Sequence, residues 1–356
     1  MKAALLGIEH PHSLAHLGTL QVLPEVEGIL LWDENQSALD EIRRTRGEKV
    51  EAAFTELDSL LAADDLFFVI AALRNDLGPD IFVRVLEAGV HLMAEKPIGK
   101  TALDTARVVE VAGRHERTLG VCYQNRCNPL VMQARELIAQ GLLGPLISVD
   151  VRMLTTQVQF RNPQHWLFDK ERAGGGILSW LGCHNIDMLR YLTQDEIVAV
   201  AAEVATRNDA AIDVEDIAAL SLRLGSGAIG SFHAGYTLAL SGGGYHNPSG
   251  YDTYVGLNGQ LGRMYWSSAG KASHLSVETT HPAWAGAPRR EFDFELADSP
   301  AYGGVAGETF LRAFIGAAQE GKEAPASGRD ALQVARIIDA AYESSRSGRR
   351  MEVETG

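Results

Sequence analysis

His91-Leu92-Met93-Ala94-Glu95-Lys96-Pro97 decides how this chain is read. The apolar residues form a short buried strand, and Pro97 ends it, because proline lacks the N–H that a ladder needs and biases the residue before it toward extended backbone. A helix-like run, Ile81–Ala88, closed by Gly89, comes just before. Helix followed by strand is the unit of an open α/β sheet, and such sheets bind ligands at the C-terminal ends of their strands. Lys96 stands at such an end. In a dry cleft a lysine can give or take a proton near neutral pH, or hold a substrate hydroxyl. In an exposed turn it would be an ordinary surface charge.

Outward from this stretch, strand candidates Lys2–Leu6, Gly28–Trp32, Leu66–Ala71, His91–Ala94 and Leu119–Tyr123 alternate with helix candidates Ser13–Leu23, Gln36–Arg44, Asp80–Ala88 and Leu103–Arg114. The alternation predicts an α/β fold with a doubly wound, parallel, Rossmann-like sheet over residues 1–122. Past Tyr123 the pattern changes. Pro129–Gln140 reads as a helix and Leu146–Thr155 as a strand, and a helical stretch lies near Gly182–Leu192. Then come Val198–Thr206, Ala218–Leu224, Ala228–Thr237, Thr253–Leu257 and Arg263–Trp266, strands in series that imply an open, mostly antiparallel sheet. Gly225-Ser226-Gly227 reads as a hairpin turn, and Ser241–Gly250 as a loop over a ligand. Val305–Gln319 and Ala331–Ser345 return to helical spacing. Residues 123–356 are therefore expected to form an α+β domain, whose last helix, 331–346, can pack back on the first domain.

The turn after the first strand is where a dinucleotide would bind. Gly7-Ile8-Glu9-His10-Pro11-His12 keeps only the first glycine of G-x-G-x-x-G. Glu9 stands where the backbone approaches the pyrophosphate, and His12 where the helix packs closest to the sheet. A carboxylate facing a pyrophosphate is unfavourable unless turned away or paired. His10 or His12, protonated at the helix N-terminus, could meet phosphate instead. Asp33 ends the second strand where an acidic residue takes the ribose hydroxyls of NAD, and no Arg follows it, which favours NAD over NADP; the alternative is a plain turn or capping residue. His10, His12 and His16 also admit a metal-dependent hydrolase or lyase, whose further ligands would have to come from later strands of a closed barrel. The later strand ends offer Lys96 and Gln124 instead, and no metal site is expected.

The chain has 356 residues, enough for two cored domains, and 46% apolar content. Its net charge of -14 argues against nucleic acid and anionic membrane surfaces as partners. Cys122, Cys127 and Cys183 are odd in number and form no C-x-x-C pair. Reduced thiols in a cytoplasm are the simplest account. No apolar run is long enough to span a bilayer.

Gly174-Gly175-Gly176-Ile177-Leu178-Ser179-Trp180-Leu181-Gly182-Cys183-His184-Asn185-Ile186-Asp187 is the second informative stretch. Three glycines let the backbone pass close to another strand or a ligand. His184 and Asp187 share a helix face. His184 is either a general acid/base or a hydrogen-bonded core histidine.

Glu95-Lys96-Pro97 after a Rossmann-like run, Arg126 with Pro129, the triple glycine, Gly182-x-His184-x-x-Asp187 and Val214-Glu215-Asp216 together resemble the glucose–fructose oxidoreductase/inositol dehydrogenase family (Gfo/Idh/MocA) over nearly the whole chain. The resemblance implies NAD(P)-dependent oxidation or reduction of sugars, inositols or similar polyols, with Lys96 and His184 catalytic. It implies cofactor contacts from Gly7, Ile8, Glu9, His10, His12, Asp33, Leu73, Asn75, Glu95, Lys96 and Gln124. Substrate contacts would come from Lys96, Arg126, Trp180, His184 and Asp187, and the open sheet would pair subunits into a homodimer or homotetramer. Three positions depart from the family pattern: the degraded glycine turn, Asn75-Asp76-Leu77-Gly78 where many members carry a histidine, and Trp180 where members often carry an aspartate. Trp180 could stack on a sugar ring or belong to the core. The same departures admit a relative with altered catalysis that serves as a ligand-binding or regulatory protein.

Overall fold

The computed structural model describes residues 1–240, 250–268 and 272–356. The chain divides into two compact units, one of residues 1–127 and 297–332 and the other of residues 128–296 and 333–356. The loop expected over 241–250 lies, apart from Gly250, outside the described residues.

In the first unit the chain runs β1 (Lys2–Leu6), α1 (Ser13–Val22), β2 (Gly28–Trp32), α2 (Gln36–Arg46), β3 (Val50–Phe54), α3 (Leu57–Leu61), β4 (Leu66–Ala71), α4 (Gly78–Glu87), β5 (His91–Ala94), α5 (Ala102–Arg114) and β6 (Leu119–Val121). β2 and β5 are buried throughout and β1 nearly so, as strands covered by helices on both faces must be. All pairs are parallel, in the order β3-β2-β1-β4-β5-β6. The direction of winding reverses between β1 and β4, and a crevice at such a reversal is where doubly wound sheets take their ligands. Gly7, Ala72 and Glu95 follow the C-terminal ends of β1, β4 and β5. β3 escapes the sequence reading because it is a half-exposed edge strand whose centre, Glu-Ala-Ala, is made of weak β-formers.

The second unit contains α6 (Pro129–Ala139), β7 (Leu146–Thr156), α7 (Lys170–Ala173) and α8 (Cys183–Thr193). Next come β8 (Ile197–Ala205), β9 (Ile217–Leu224), β10 (Ile229–Leu238), β11 (Tyr251–Gly259), β12 (Gly262–Ser268), β13 (His274–Thr279) and β14 (Arg289–Asp293). With the terminal β15 (Met351–Glu352) they form a nine-stranded sheet in the order β14-β13-β12-β11-β7-β10-β9-β8-β15. Among the described strands of this sheet, only β7 and β10 pair in parallel. β9 shows why one face is open: Ala218, Leu220, Leu222 and Leu224 are buried while Ala219, Ser221 and Arg223 are exposed. The β9–β10 hairpin turns at Gly227, whose φ of 92° suits glycine.

The helix that returns to the first unit is α9 (Val305–Gln319), whose Phe314 meets Phe68 of β4 edge to face at 5.8 Å. The final helix, α10 (Gly328–Ser347), counts with the second unit from Gln333 onward. There the Ser344 and Ser345 hydroxyls accept the Ala202 and Val204 amides of β8.

Candidate active site

The turn between β1 and α1 is built on Gly7. Its φ is 85°, and a Cβ there would collide with the Ala72 carbonyl oxygen and crowd Leu73, so only glycine lets the ends of β1 and β4 close up. From this turn the Ile8 amide donates to Asp33 Oδ2 at 2.7 Å, and the Asn35 amide to Oδ1 at 2.9 Å. Both bonds steer the carboxylate at the end of β2 while leaving lone pairs on each oxygen for a diol. Glu9 is exposed and turned aside, its Oε1 accepting from Asn35 Nδ2 at 2.8 Å. α1 starts with no side-chain cap and no acidic residue in its first turn, which leaves the helix N-terminus to an anion.

His12, at the third fingerprint position, points inward. Its Nδ1 lies 3.0 Å from Glu95 Oε1, and His16 Nε2 lies 2.6 Å from the same oxygen, while Glu95 Oε2 accepts the Lys96 amide at 3.0 Å. An ionised carboxylate only accepts, so both imidazoles must present N–H to it. When neutral, His12 therefore carries its proton on Nδ1 and His16 on Nε2. The His12 amide donates to His10 Nδ1 at 3.1 Å, which puts the proton of neutral His10 on Nε2. Tyr302 covers the group, stacked on His12 at 4.6 Å and tilted over His16 at 4.7 Å.

Burial, together with the neighbouring Lys96 charge, pushes His12 down to about 4 against the pull of Glu95, and pushes His10 well below the usual range. Burial alone would raise the Glu95 carboxyl, but the His12 and His16 imidazoles outweigh it and hold Glu95 well below the usual range. At neutral pH Glu95 is an anion beside an uncharged His12. Both rings, His10 and His12, are buried and held below the usual histidine range, which disfavours the cationic form expected to meet phosphate.

His16, Glu95 and Cys122 bring possible metal-ligand atoms within 4.8 Å of one another, all buried. Burial keeps the Cys122 thiol protonated by raising it well above its usual range, and the Glu95 oxygens are already taken up by N–H donors. The hydrolase reading of His10, His12 and His16 requires a closed barrel, and the sheet is an open one of six strands.

Lys96 is 1% exposed and Asn75 is 4% exposed, both at strand ends of the same sheet. Gln124 lines a water-sized void of about 20 Å³ with His16, Cys122 and Tyr302, and among the described residues its buried Oε1 has no hydrogen-bond partner. Such an orphan acceptor suits a carboxamide. Taken together, an uncapped helix start, a steered Asp33 and the Gln124 acceptor fit a nicotinamide dinucleotide. The Arg126 guanidinium meets Asp330 at 3.0 Å and donates to the Pro325 carbonyl at 2.9 Å, which tethers the returning segment.

In the second unit the triple glycine serves the fold. The Gly176 and Leu178 amides donate to Glu215 at 2.7 and 2.9 Å, and Tyr342 Oη donates to Glu215 at 2.9 Å. A Cβ on Gly176 would collide with the Glu215 carbonyl, so the close approach that the glycines announce is to Glu215. Burial raises the Glu215 carboxyl despite these donors. Asp216 ties down the Arg207 and Asn208 amides, so Val214-Glu215-Asp216 braces the fold of this unit. Trp180 sits in a π-helical turn, Leu178–Gly182, at 2% exposure and edge-on to Trp166 at 5.9 Å. No ring face is open to solvent, so of its two readings the core one matches its surroundings. His184 is half-buried near the start of α8, and Asp187 is buried one turn later.

Residues 4–123 match the family described as oxidoreductases with an NAD-binding Rossmann fold, and residues 131–247 match the GFO/IDH/MocA C-terminal domain. The chain belongs to the GFO/IDH/MocA family. It is 28% identical to an inositol 2-dehydrogenase of Rhizobium meliloti, over 83% of this chain and 84% of the relative. It is 26% identical to a levoglucosan dehydrogenase of Pseudarthrobacter phenanthrenivorans, over 83% and 82% respectively. A levoglucosan dehydrogenase structure in complex with NADH and levoglucosan superposes with a TM-score of 0.88 at 22% identity, covering 100% of both chains, and shares the fold. No helix among the described residues is long and apolar enough to cross a membrane.

Sequence reading missed Tyr302 as the cover of the histidine pair and the Glu215–Tyr342 clasp. Each contact spans more than a hundred residues, and the one available signal, Tyr302-Gly303-Gly304 before a helix, reads as an ordinary turn.

Proposed function

We propose that this protein is an NAD-dependent dehydrogenase or reductase acting on a hydroxyl or keto carbon of a sugar, inositol or similar polyol. The observation that carries the reading is the β1–α1 turn, where Gly7, an uncapped helix start and a steered Asp33 fit a dinucleotide despite the missing glycines. When bound, the nicotinamide accepts or returns the hydride. Asp33 takes the adenosine ribose hydroxyls, the α1 N-terminus the pyrophosphate, and Gln124 the carboxamide, with Gly7, Ile8, Leu73 and Asn75 shaping the turn.

Lys96 is assigned to hold the reacting hydroxyl and take its proton as the hydride leaves. His184 is assigned as the second acid/base group, with its tautomer set by a group other than a carboxylate at position 180. The Glu95 anion fixes the Lys96 main chain through its amide, so Glu95, His12 and His16 act as positioning residues. The inositol and levoglucosan dehydrogenases among the relatives support a polyol substrate. The open sheet face supports a homodimer or homotetramer, and three free cysteines support a reducing compartment such as the cytoplasm.

A fluorescence titration with NADH tests the reading first, followed by turnover on a panel of sugars and inositols. Binding of neither nicotinamide cofactor would refute it; binding without turnover on any polyol would move the protein to the ligand-binding class.

A further inference from the structure

We infer that Glu9 and Asp33 together form a two-carboxylate selector that rejects the 2′-phosphate of NADP. This rests on the dinucleotide reading above and goes beyond it, because Glu9 occupies a position where the fingerprint has a glycine.

The assignment follows from how Asn35 is held. Asn35 caps α2, its Oδ1 accepting the Ala38 amide at 3.3 Å and the Ser37 hydroxyl at 2.7 Å. With the amide oxygen committed to the helix, the NH₂ group must face the other way, and it donates to Glu9 Oε1 at 2.8 Å. The Asn35 main chain is itself pinned, its amide on Asp33 Oδ1 at 2.9 Å. One residue therefore ties both carboxylates to the end of β2, where Asp33 meets the adenosine ribose. Glu9 is exposed, and through Asn35 its carboxylate is held to the end of β2, where the ribose would lie. Glu34 adds a third acid in sequence, and the arginines of α2, Arg43, Arg44 and Arg46, sit in its last turn, about 10 Å or more along the axis at 1.5 Å per residue. A neutral ribose hydroxyl can donate to these carboxylates, whereas a phosphate dianion is only repelled by them. The glycine missing from the turn is thus replaced by a side chain that leaves the pyrophosphate path and works at the ribose.

The experiment measures Kd for NADH and NADPH by fluorescence titration on the full chain, wild type and Glu9→Gln, at low and high salt. Glutamine keeps the size and can still accept from Asn35, so the charge alone is removed. The expected result is a wild type that prefers NADH and a Glu9→Gln variant whose NADPH-to-NADH Kd ratio falls by about tenfold, the scale of removing one exposed charge several ångströms from a dianion. The change should shrink at high salt, since exposed charges are screened within about 8–10 Å. A ratio unchanged by Glu9→Gln, with NADH still bound, would overturn this assignment and leave the dinucleotide reading standing. Equal weakening of both cofactors would also overturn it, making Glu9 a loop brace. A wild type that binds neither cofactor would remove the assignment together with the reading it rests on.

Discussion

Glu95→Gln is the perturbation whose cost the structure sets most directly. Glu95 is 2% exposed and accepts three N–H groups, from His12, His16 and its neighbour's main chain. A glutamine amide has one accepting and one donating end. With its oxygen toward the imidazoles, the NH₂ meets the Lys96 amide, donor against donor. With its oxygen toward Lys96, both imidazoles must shift their protons to the other ring nitrogen, and His12 sits under Tyr302 with Lys96 nearby. Hydrogen bonds to a charged acceptor contribute about 1.5–3 kcal/mol each, so losing one and neutralising the others costs about 2–5 kcal/mol. At roughly 2–4 °C per kcal/mol for a unit of this size, Tm should fall by about 4–20 °C. Urea denaturation and a thermal melt measure the two quantities, and a Tm within about 1 °C of wild type would refute the network reasoning. Nitrogen-resolved NMR of the histidines should find protons on His12 Nδ1 and His16 Nε2 in the wild type; in the variant both move if the glutamine oxygen faces Lys96 and neither moves if it faces the imidazoles.

Other expectations can be checked in parallel. Stability should fall with acid, because the folded His12 titrates near 4 and an unfolded histidine near 6.5, so the unfolded chain binds the extra proton in between. The loss should accumulate from pH 6.5 down to about 4 and reach roughly 3 kcal/mol at 1.36 kcal/mol per unit. Glu95, also depressed when folded, adds a loss of the same sign at lower pH; urea midpoints that do not fall between about pH 7 and 4.5 would contradict this. Lys96→Met and His184→Ala should each lower kcat about a hundredfold or more, the scale of an acid/base residue, and near-normal turnover in both would place the chemistry elsewhere. Gly176→Ala drives a methyl into the Glu215 carbonyl and should cost at least about 1–3 kcal/mol, visible as a lower urea midpoint at unchanged slope.

Much of the fold was legible in local patterns. The β–α alternation of the first third needs only periodicity, since buried parallel strands are continuous apolar runs and the helices between them are amphipathic. Glu95-Lys96-Pro97 and the glycine-led stretch before His184 were visible as punctuation. What the punctuation meant was not. Gly174–Gly176 announce a close approach, but that the partner is Glu215, some forty residues on, depends on how the chain is wound. That Arg126 meets Asp330, some two hundred residues on, likewise depends on the returning segment. His12 and Glu9 both read as damage to the dinucleotide turn. Packing sends one inward to a buried carboxylate at 3.0 Å and the other outward to Asn35 at 2.8 Å, because the side-chain directions at those positions are set by the turn and not by residue type. Sequence determined most strands and helices of the first unit, β3 and α3 excepted, and the residue types at the strand ends, since these follow from local periodicity and steric rules. Tertiary structure alone decided protonation states, tautomers and partners, because they depend on desolvation and on contacts between residues far apart in the chain.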